Sequence, residues 1–361
     1  MQTTPSSDTA STTTRLDFDF LEPGAQSALD VASRLRQFLD GAQQTLDIAI
    51  YDFRLVPAAA ASITAAVEGA KRRGVAIRLL FNQEPRSEPE PIAHVPPSQV
   101  DWDLVHRLGV PIHPISGVPD LMHHKYVIRD HERVWTGSTN WTTDAWTLEE
   151  NVVVRVTSGA LAEEYSRNFE ELWTERRVAG SGHFTPAWVA EAGLRMRPLF
   201  APGRGRKLAH EIAQRIASAR RRVRIASPVI TSGPILGTLC EVLGDGRVDV
   251  AGVYDRTQMA EALSQWGDSG VATWKSHAFA QLVASGRFTS KVSTPWQTGG
   301  PHDFMHAKVT VCDDTVFVGS FNLSHSGEDN AENVLEIVDS AAADLCAAFV
   351  ERVAARYSVA R

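Results

Sequence analysis

Two stretches of this 361-residue chain carry side chains capable of chemistry in the same order. Residues 122–154 begin MHHK, and residues 305–334 begin MHAK. Each reads His-x-Lys-x4-Asp, through His123, Lys125 and Asp130 and again through His306, Lys308 and Asp313. Each continues with Gly-Ser-x-Asn (Ser138 and Asn140; Ser320 and Asn322) and then Glu-Asn-Val from Glu150 and Glu332. Positions i and i+2 of a strand share a face, so each stretch offers an imidazole beside an ammonium. His124, between them, faces the other way and reads as a packing histidine. The copies keep step: Gly137 to Glu150 and Gly319 to Glu332 both count thirteen residues. Asp130 to Gly137 counts seven and Asp313 to Gly319 six, a single-residue offset at a turn.

Two imidazoles across a cleft suit attack on a phosphodiester. One, neutral, attacks phosphorus; the other, protonated, gives its proton to the departing oxygen. Lys125 and Lys308, with donors from Ser138, Asn140, Ser320 and Asn322, would meet the charge on the non-bridging oxygens. Two fixed ammonium groups make a metal unnecessary, and no cofactor is implied. The first intermediate would be a phosphohistidine, released by water or an alcohol. Glu150 and Glu332 would bind the far nitrogen of the two histidines and fix their tautomer. Asp130 and Asp313 complete the catalytic motif, but at strand ends they read as structural or secondary electrostatic partners.

The frame around the motifs is also duplicated. Apolar spacing predicts a helix ending at Gly41, a strand over 46–51, an Ala-rich helix over 58–73 and a strand over 75–81, a βαβ unit that implies a parallel sheet. A short helix over 102–108, strands around 125–128 and 134–135, a strand over 151–156 and a helix over 160–176 follow. The second half repeats the order, with helices over 207–218 and 234–243, strands over 223–226 and 248–254, a strand over 334–338 and a closing helix over 341–357. The predicted division is a disordered tail over 1–16, halves over 17–178 and 196–361, and a linker over 179–195. The halves differ in two expected loops, the proline-rich 82–99 and the longer 264–303, where substrate choice would lie.

Bulk properties narrow the class. Apolar content of 43% and charged content of 22% suit a globular chain with a large core. A net charge of −7 argues against a surface that attracts nucleic acid everywhere. The basic run Arg204, Arg206, Lys207, Arg220, Arg221, Arg222 and Arg224 reads as a solvated face before it reads as a nucleic-acid patch. Trp135, Trp141 and Trp146 read as core or cleft wall. Three scattered cysteines imply no disulfide framework, and the N-terminus has no basic segment followed by an apolar run. The expectation is a cytoplasmic protein without a transmembrane segment, monomeric because both motifs share one chain.

With both motifs and their downstream partners in order, the chain resembles the phospholipase D superfamily over about residues 26–357. The resemblance includes Ile50-Tyr51 at the end of the first strand and Gly252-Val253-Tyr254-Asp255 in the second half. It implies an α/β, bilobal phospholipase D-like fold with one active site between two pseudo-symmetric halves. It also implies a metal-independent phosphohistidine mechanism, with His123 as nucleophile and His306 as acid, although the pseudo-symmetry also allows the reverse. The favoured substrate is a phospholipid, whose phosphatidyl group is hydrolysed or transferred, with peripheral membrane contact. A nucleic-acid phosphodiester is the alternative substrate, and an inactive scaffold the second alternative.

Overall fold

The computed structural model describes residues 14–83, 100–269, 273–297 and 300–358. The first half runs β1 (Arg15–Leu21), α1 (Ala28–Asp40), β2 (Thr45–Ile50), β3 (Phe53–Arg54), α2 (Pro57–Arg72), β4 (Ala76–Gln83), α3 (Trp102–Leu108) and β5 (Ile112–Ser116). It continues with β6 (Lys125–Arg129), β7 (Arg133–Gly137), β8 (Trp141–Thr142), α4 (Thr143–Thr147), β9 (Asn151–Thr157) and α5 (Gly159–Glu175). The second half has β10 (Val189–Glu191), β11 (Leu194–Ala201), α6 (Gly205–Ser218), β12 (Arg222–Ser227), α7 (Gly233–Asp245), β13 (Asp249–Asp255), α8 (Arg256–Ser269) and α9 (Thr273–Ala284). It closes with β14 (Phe288–Lys291), β15 (Val309–Cys312), β16 (Thr315–Gly319), α10 (His325–Asp329), β17 (Glu332–Val338) and α11 (Ser340–Arg356).

The duplication extends to strand order. One sheet runs β1-β9-β7-β6-β2-β4-β5 and the other β10-β11-β17-β16-β15-β12-β13-β14, so the second repeats the first with one extra edge strand. The expected parallel sheet is corrected to a mixed one. β2, β4 and β5 are parallel through the βαβ connection, whereas β6, β7, β9 and β1 are antiparallel. Between β6 and β7 a three-residue turn leaves no room for the crossover that a parallel pair needs.

Local signals explain the elements. Ser27 and Asp30 form a reciprocal capping box at the start of α1, and Pro57 opens α2 where its missing N–H costs nothing. Helices α1, α2 and α3 cover one outer sheet face, and α6, α7 and α9 cover the other. Between the sheets lies a third core that takes residues from both halves, including Tyr126, Tyr165, Phe200 and Phe349. Tyr165 of α5 meets Phe200 of β11, and Phe349 of α11 stacks on Phe20 of β1, so each half's long helix helps cover the other half's edge.

Three expectations need adjustment. β1 begins at Arg15 and β10–β11 begin at Val189, inside the segments expected as tail and linker. The tail over residues 1–13 and the proline-rich loop over 84–99 lie outside the described residues. The stretch 264–303 is not a loop, because it holds the end of α8, all of α9 and β14. Among the described residues, no helix is long and apolar enough to cross a membrane.

Candidate active site

The glycine of each Gly-Ser-x-Asn segment ends a strand against its neighbour's backbone. A Cβ on Gly137 would lie 2.1 Å from the Val152 carbonyl oxygen, and one on Gly319 2.1 Å from that of Asn333. Only glycine lets the chain pass so close. The next serine then turns inward. Ser320 donates to Glu332 at 2.5 Å and accepts the Asn333 N–H at 3.0 Å. Ser138 donates to Asn151 at 2.7 Å and accepts the Val152 N–H at 2.9 Å. Both hydroxyls are fully buried and spent on these bonds, so the expected phosphate-binding role of Ser138 and Ser320 is corrected to positioning. The Asn140 and Asn322 side-chain oxygens are buried without a hydrogen-bond partner.

The histidines precede β6 and β15 in loops tied down from both sides. Asn82, next to last in β4, accepts the Met122 N–H at 2.9 Å, and Asp255, ending β13, accepts the Met305 N–H at 3.0 Å. Across the halves, Met122 bridges to Ala331 and Met305 to Glu150. Sequence reasoning did not find these anchors; the available signal was a polar residue at the end of each buried strand.

His123 Nδ1 lies 2.8 and 2.9 Å from the two Glu332 carboxylate oxygens, a bond between halves. The expected partner of His306 is wrong. His306 Nδ1 meets Asn151 Oδ1 at 3.0 Å and Glu149 at 3.2 Å, not Glu150. Strand pairing shows why. Gly137 faces Val153 and Gly319 faces Val334, so the first half holds one more residue here as well as one more in the earlier turn. That shift places Asn151, not Glu150, where Glu332 stands. Glu150 instead accepts from Lys291 at 2.9 Å and from the Tyr357 hydroxyl.

The lysines are held by their own motifs. Lys125 Nζ donates to the His123 carbonyl at 2.7 Å and Lys308 Nζ to the His306 carbonyl at 2.5 Å. The Lys125 ammonium also lies 5.0 Å from the Tyr51 ring centre, and Tyr51 packs edge-on to His123. Burial lowers the Lys125 pKa to about 8 and takes Lys308 well below its ordinary value, with the neighbouring Lys125 pushing the same way. Burial, then both lysines, push His123 and His306 well below the usual imidazole range. Burial raises Glu332 to about 7 and Glu149 to about 8. Each lysine acts on both imidazoles, so the four side chains form one electrostatic cluster.

Asp130 and Asp313 stand elsewhere. Each lies five residues beyond its lysine, about 17 Å along a strand. Asp130 accepts the N–H groups of Gln43, Gln44 and Thr45, and Asp313 those of Arg220, Arg221 and Arg222. Both adopt left-handed backbone, φ 54° and 53°, which aspartate tolerates better than most residues. Their place in a catalytic set is therefore corrected to the structural reading. His124 is buried, faces Asn333 at 3.3 Å and packs on Tyr126, as a packing histidine should. Trp135, Trp141 and Trp146 lie in the outer core of the first half.

Residues 35–173 and 212–354 match the family model described as cardiolipin synthase, PLD-like domain. The mitochondrial cardiolipin hydrolase of Xenopus laevis is 28% identical over 143 residues, 40% of this chain and 61% of that protein. The human protein of the same name is 27% identical over 164 residues, 45% of this chain and 58% of that one. A phospholipase D of Rickettsia typhi is 28% identical over 123 residues, 34% and 53% of the respective chains. The matches thus span less than two thirds of these relatives. Among solved structures, phosphatidylserine synthase of Haemophilus influenzae superposes with a TM-score of 0.66 at 15% identity, covering 94% of this chain and 86% of that one. Polyphosphate kinase of Porphyromonas gingivalis superposes with a TM-score of 0.56 at 12% identity, covering 91% of this chain and 48% of that one. Both likenesses concern the fold. With the family model matching each half in turn, the chain belongs to the phospholipase D-like family and carries two copies of its domain in one polypeptide.

Proposed function

We propose that the protein is a phosphodiesterase that hydrolyses or transfers the phosphatidyl group of a phospholipid. The observation that carries this reading is the pairing of each motif histidine, through Nδ1, with acceptors from the opposite half, beside two buried ammonium groups. Asn151 donates its amide to Ala145 O at 3.1 Å and to Glu149 at 2.9 Å, so its oxygen must face His306. The His306 proton therefore resides on Nδ1 in the neutral ring.

The reaction follows from these positions. Phosphate oxygens take the space between Lys125 and Lys308. Their negative charge offsets the repulsion among the cluster's cations and raises the His306 pKa, so that Nε2 gains a proton. His123 Nε2 attacks phosphorus as the bond to the leaving oxygen breaks, and His306 Nε2–H supplies the proton to that oxygen. Water then gives a proton to His306 as its oxygen bonds to phosphorus and the phosphorus–nitrogen bond breaks. Glu332 stabilises the positive charge that phosphorylation leaves on the His123 ring. This carboxylate backing supports His123 as nucleophile.

The relatives' names, cardiolipin hydrolase and phospholipase D, support a phospholipid substrate. The nucleic-acid alternative loses its clearest support, because Arg221, Arg222 and Arg224 pair with Asp314, Asp344, Asp249 and Glu351. A cytoplasmic monomer remains part of the proposal. The test incubates wild type and His123→Ala, in EDTA, with vesicles of cardiolipin and phosphatidylethanolamine, and separately with single-stranded DNA and RNA. The expected result is head-group release by wild type alone and intact nucleic acid. Cleavage of nucleic acid without lipid turnover would favour the second reading, and wild-type inactivity on all substrates would overturn the proposal.

A further inference from the structure

The two halves back their histidines with the same two functional groups in exchanged positions. In the second half the residue bonded to the serine is the carboxylate Glu332, and the carboxamide Asn330 lies two residues earlier. In the first half the serine bonds the carboxamide Asn151, and the carboxylate Glu149 lies two residues earlier. Asn330 donates to Glu332 at 3.3 Å and accepts the Leu121 N–H at 2.9 Å, so it serves the backbone. Glu149 instead reaches the imidazole itself, with its Oε2 3.2 Å from His306 Nδ1 and 2.9 Å from Asn151 Nδ2. Both Glu149 and Asn151 are buried.

We infer that Glu149 is a positioning residue for the protonated form of His306, on which proton delivery to the leaving group depends. This rests on the phosphodiesterase reading. Asn151 fixes the ring and its tautomer, but a neutral carboxamide adds no net charge to balance an imidazolium. Glu149 adds that charge on the side of the ring facing away from the substrate. Burial and then Asp144 favour the neutral acid of Glu149, whereas the Asn151 amide, Lys308 and Lys291 favour its carboxylate. An imidazolium 3.2 Å away adds to the second group, so the charge is present when His306 is protonated. In the cleavage step His306 loses its Nε2 proton to the leaving oxygen, and its Nδ1 proton stays where it is. Glu149 neither gains nor loses a proton. His123, backed directly by Glu332, makes the bond to phosphorus.

A leaving group that needs no proton separates these roles. Wild type, Glu149→Gln and Glu332→Gln are assayed on a phosphatidyl ester of an alkyl alcohol and on a p-nitrophenyl phosphodiester. Glu149→Gln should slow the alkyl ester by about 10²-fold and the p-nitrophenyl ester by no more than about threefold. Glu332→Gln should slow both alike. Glu149→Asp, which keeps the charge at shorter reach, should recover part of the alkyl-ester rate. It serves as the reporter if Glu149→Gln does not fold. Equal losses on both esters, or no loss on either, in an active wild-type background would overturn the inference. Wild type inert on both esters would instead overturn the phosphodiesterase reading and the inference with it.

Discussion

The second half of the molecule gives its carboxylate to His123 of the first half through both oxygens. The first half gives His306 a carboxamide and, from two residues earlier, a carboxylate. Around this exchange the backbones agree closely, with strand order, motif glycines, serine bonds and aspartate anchors all repeated. On the proposed division of roles, this difference lets a duplicated unit serve a reaction that is not symmetric. A nucleophile gains from a strong base behind it, while an acid must release its proton. Exchanging two side chains on one strand end changes that balance without disturbing the fold.

A second contrast lies at the strand that follows βαβ. Asn82 faces Ile115 across β4 and β5, whereas the equivalent Asp255 faces Lys291 across β13 and β14. Lys291 crosses to the first half and meets Glu150, which is fully buried. The largest expected effect on stability follows from breaking this pair. Lys291→Met should destabilise the protein by about 3–5 kcal/mol in urea unfolding, because it takes from the buried Glu150 carboxylate its nearest cation and leaves the Tyr357 hydroxyl and the more distant Arg356. The double variant Lys291→Met/Glu150→Leu should recover most of that loss. A cost under about 1 kcal/mol for the single variant would show that the ion pair does not hold the halves together.

A smaller effect separates His124 from its counterpart Ala307. Burial lowers the His124 pKa to about 3. Between that value and about 6.5 the unfolded chain binds a proton that the folded chain refuses. Wild type should therefore lose stability as pH falls, by about 2 kcal/mol between pH 6.5 and 5 from this group. His124→Ala should be less stable at neutral pH but should show a shallower loss over the same interval. Parallel curves for the two proteins would remove His124 from the account.

Much of this architecture was legible in the sequence. The i, i+2 spacing placed each lysine beside its histidine. Strand-end positions marked Asp130 and Asp313 as structural, and helical periodicity located α1, α2, α5 and α11. What failed did so for physical reasons. The run Glu149-Glu150-Asn151 offers two carboxylates one residue apart, and a strand reverses its faces at each residue. Counting from the glycine chose Glu150 because the extra residue in the first half is visible only in the pairing of β7 with β9. The serines were assigned to substrate because composition cannot say which hydroxyls a neighbouring strand will consume. The strands β1 and β11 went unread, although Leu16, Phe18 and Phe20 alternate with polar residues in the pattern of a half-buried strand. Met259, Leu263 and Trp266 keep helical spacing in α8, but the tryptophans and glycines around them suggested an irregular segment.

In the proposed reaction two unlike histidines, one from each half, divide the labour at a single site. The most direct measurement traps the covalent intermediate. His306→Ala is mixed with a p-nitrophenyl phosphodiester, quenched within the first turnover and mapped for modified peptides. The expected result is a burst of p-nitrophenol and a phosphorylated His123, stable because the base that would activate water is gone. Label on any other residue, or turnover with no covalent species, would contradict it.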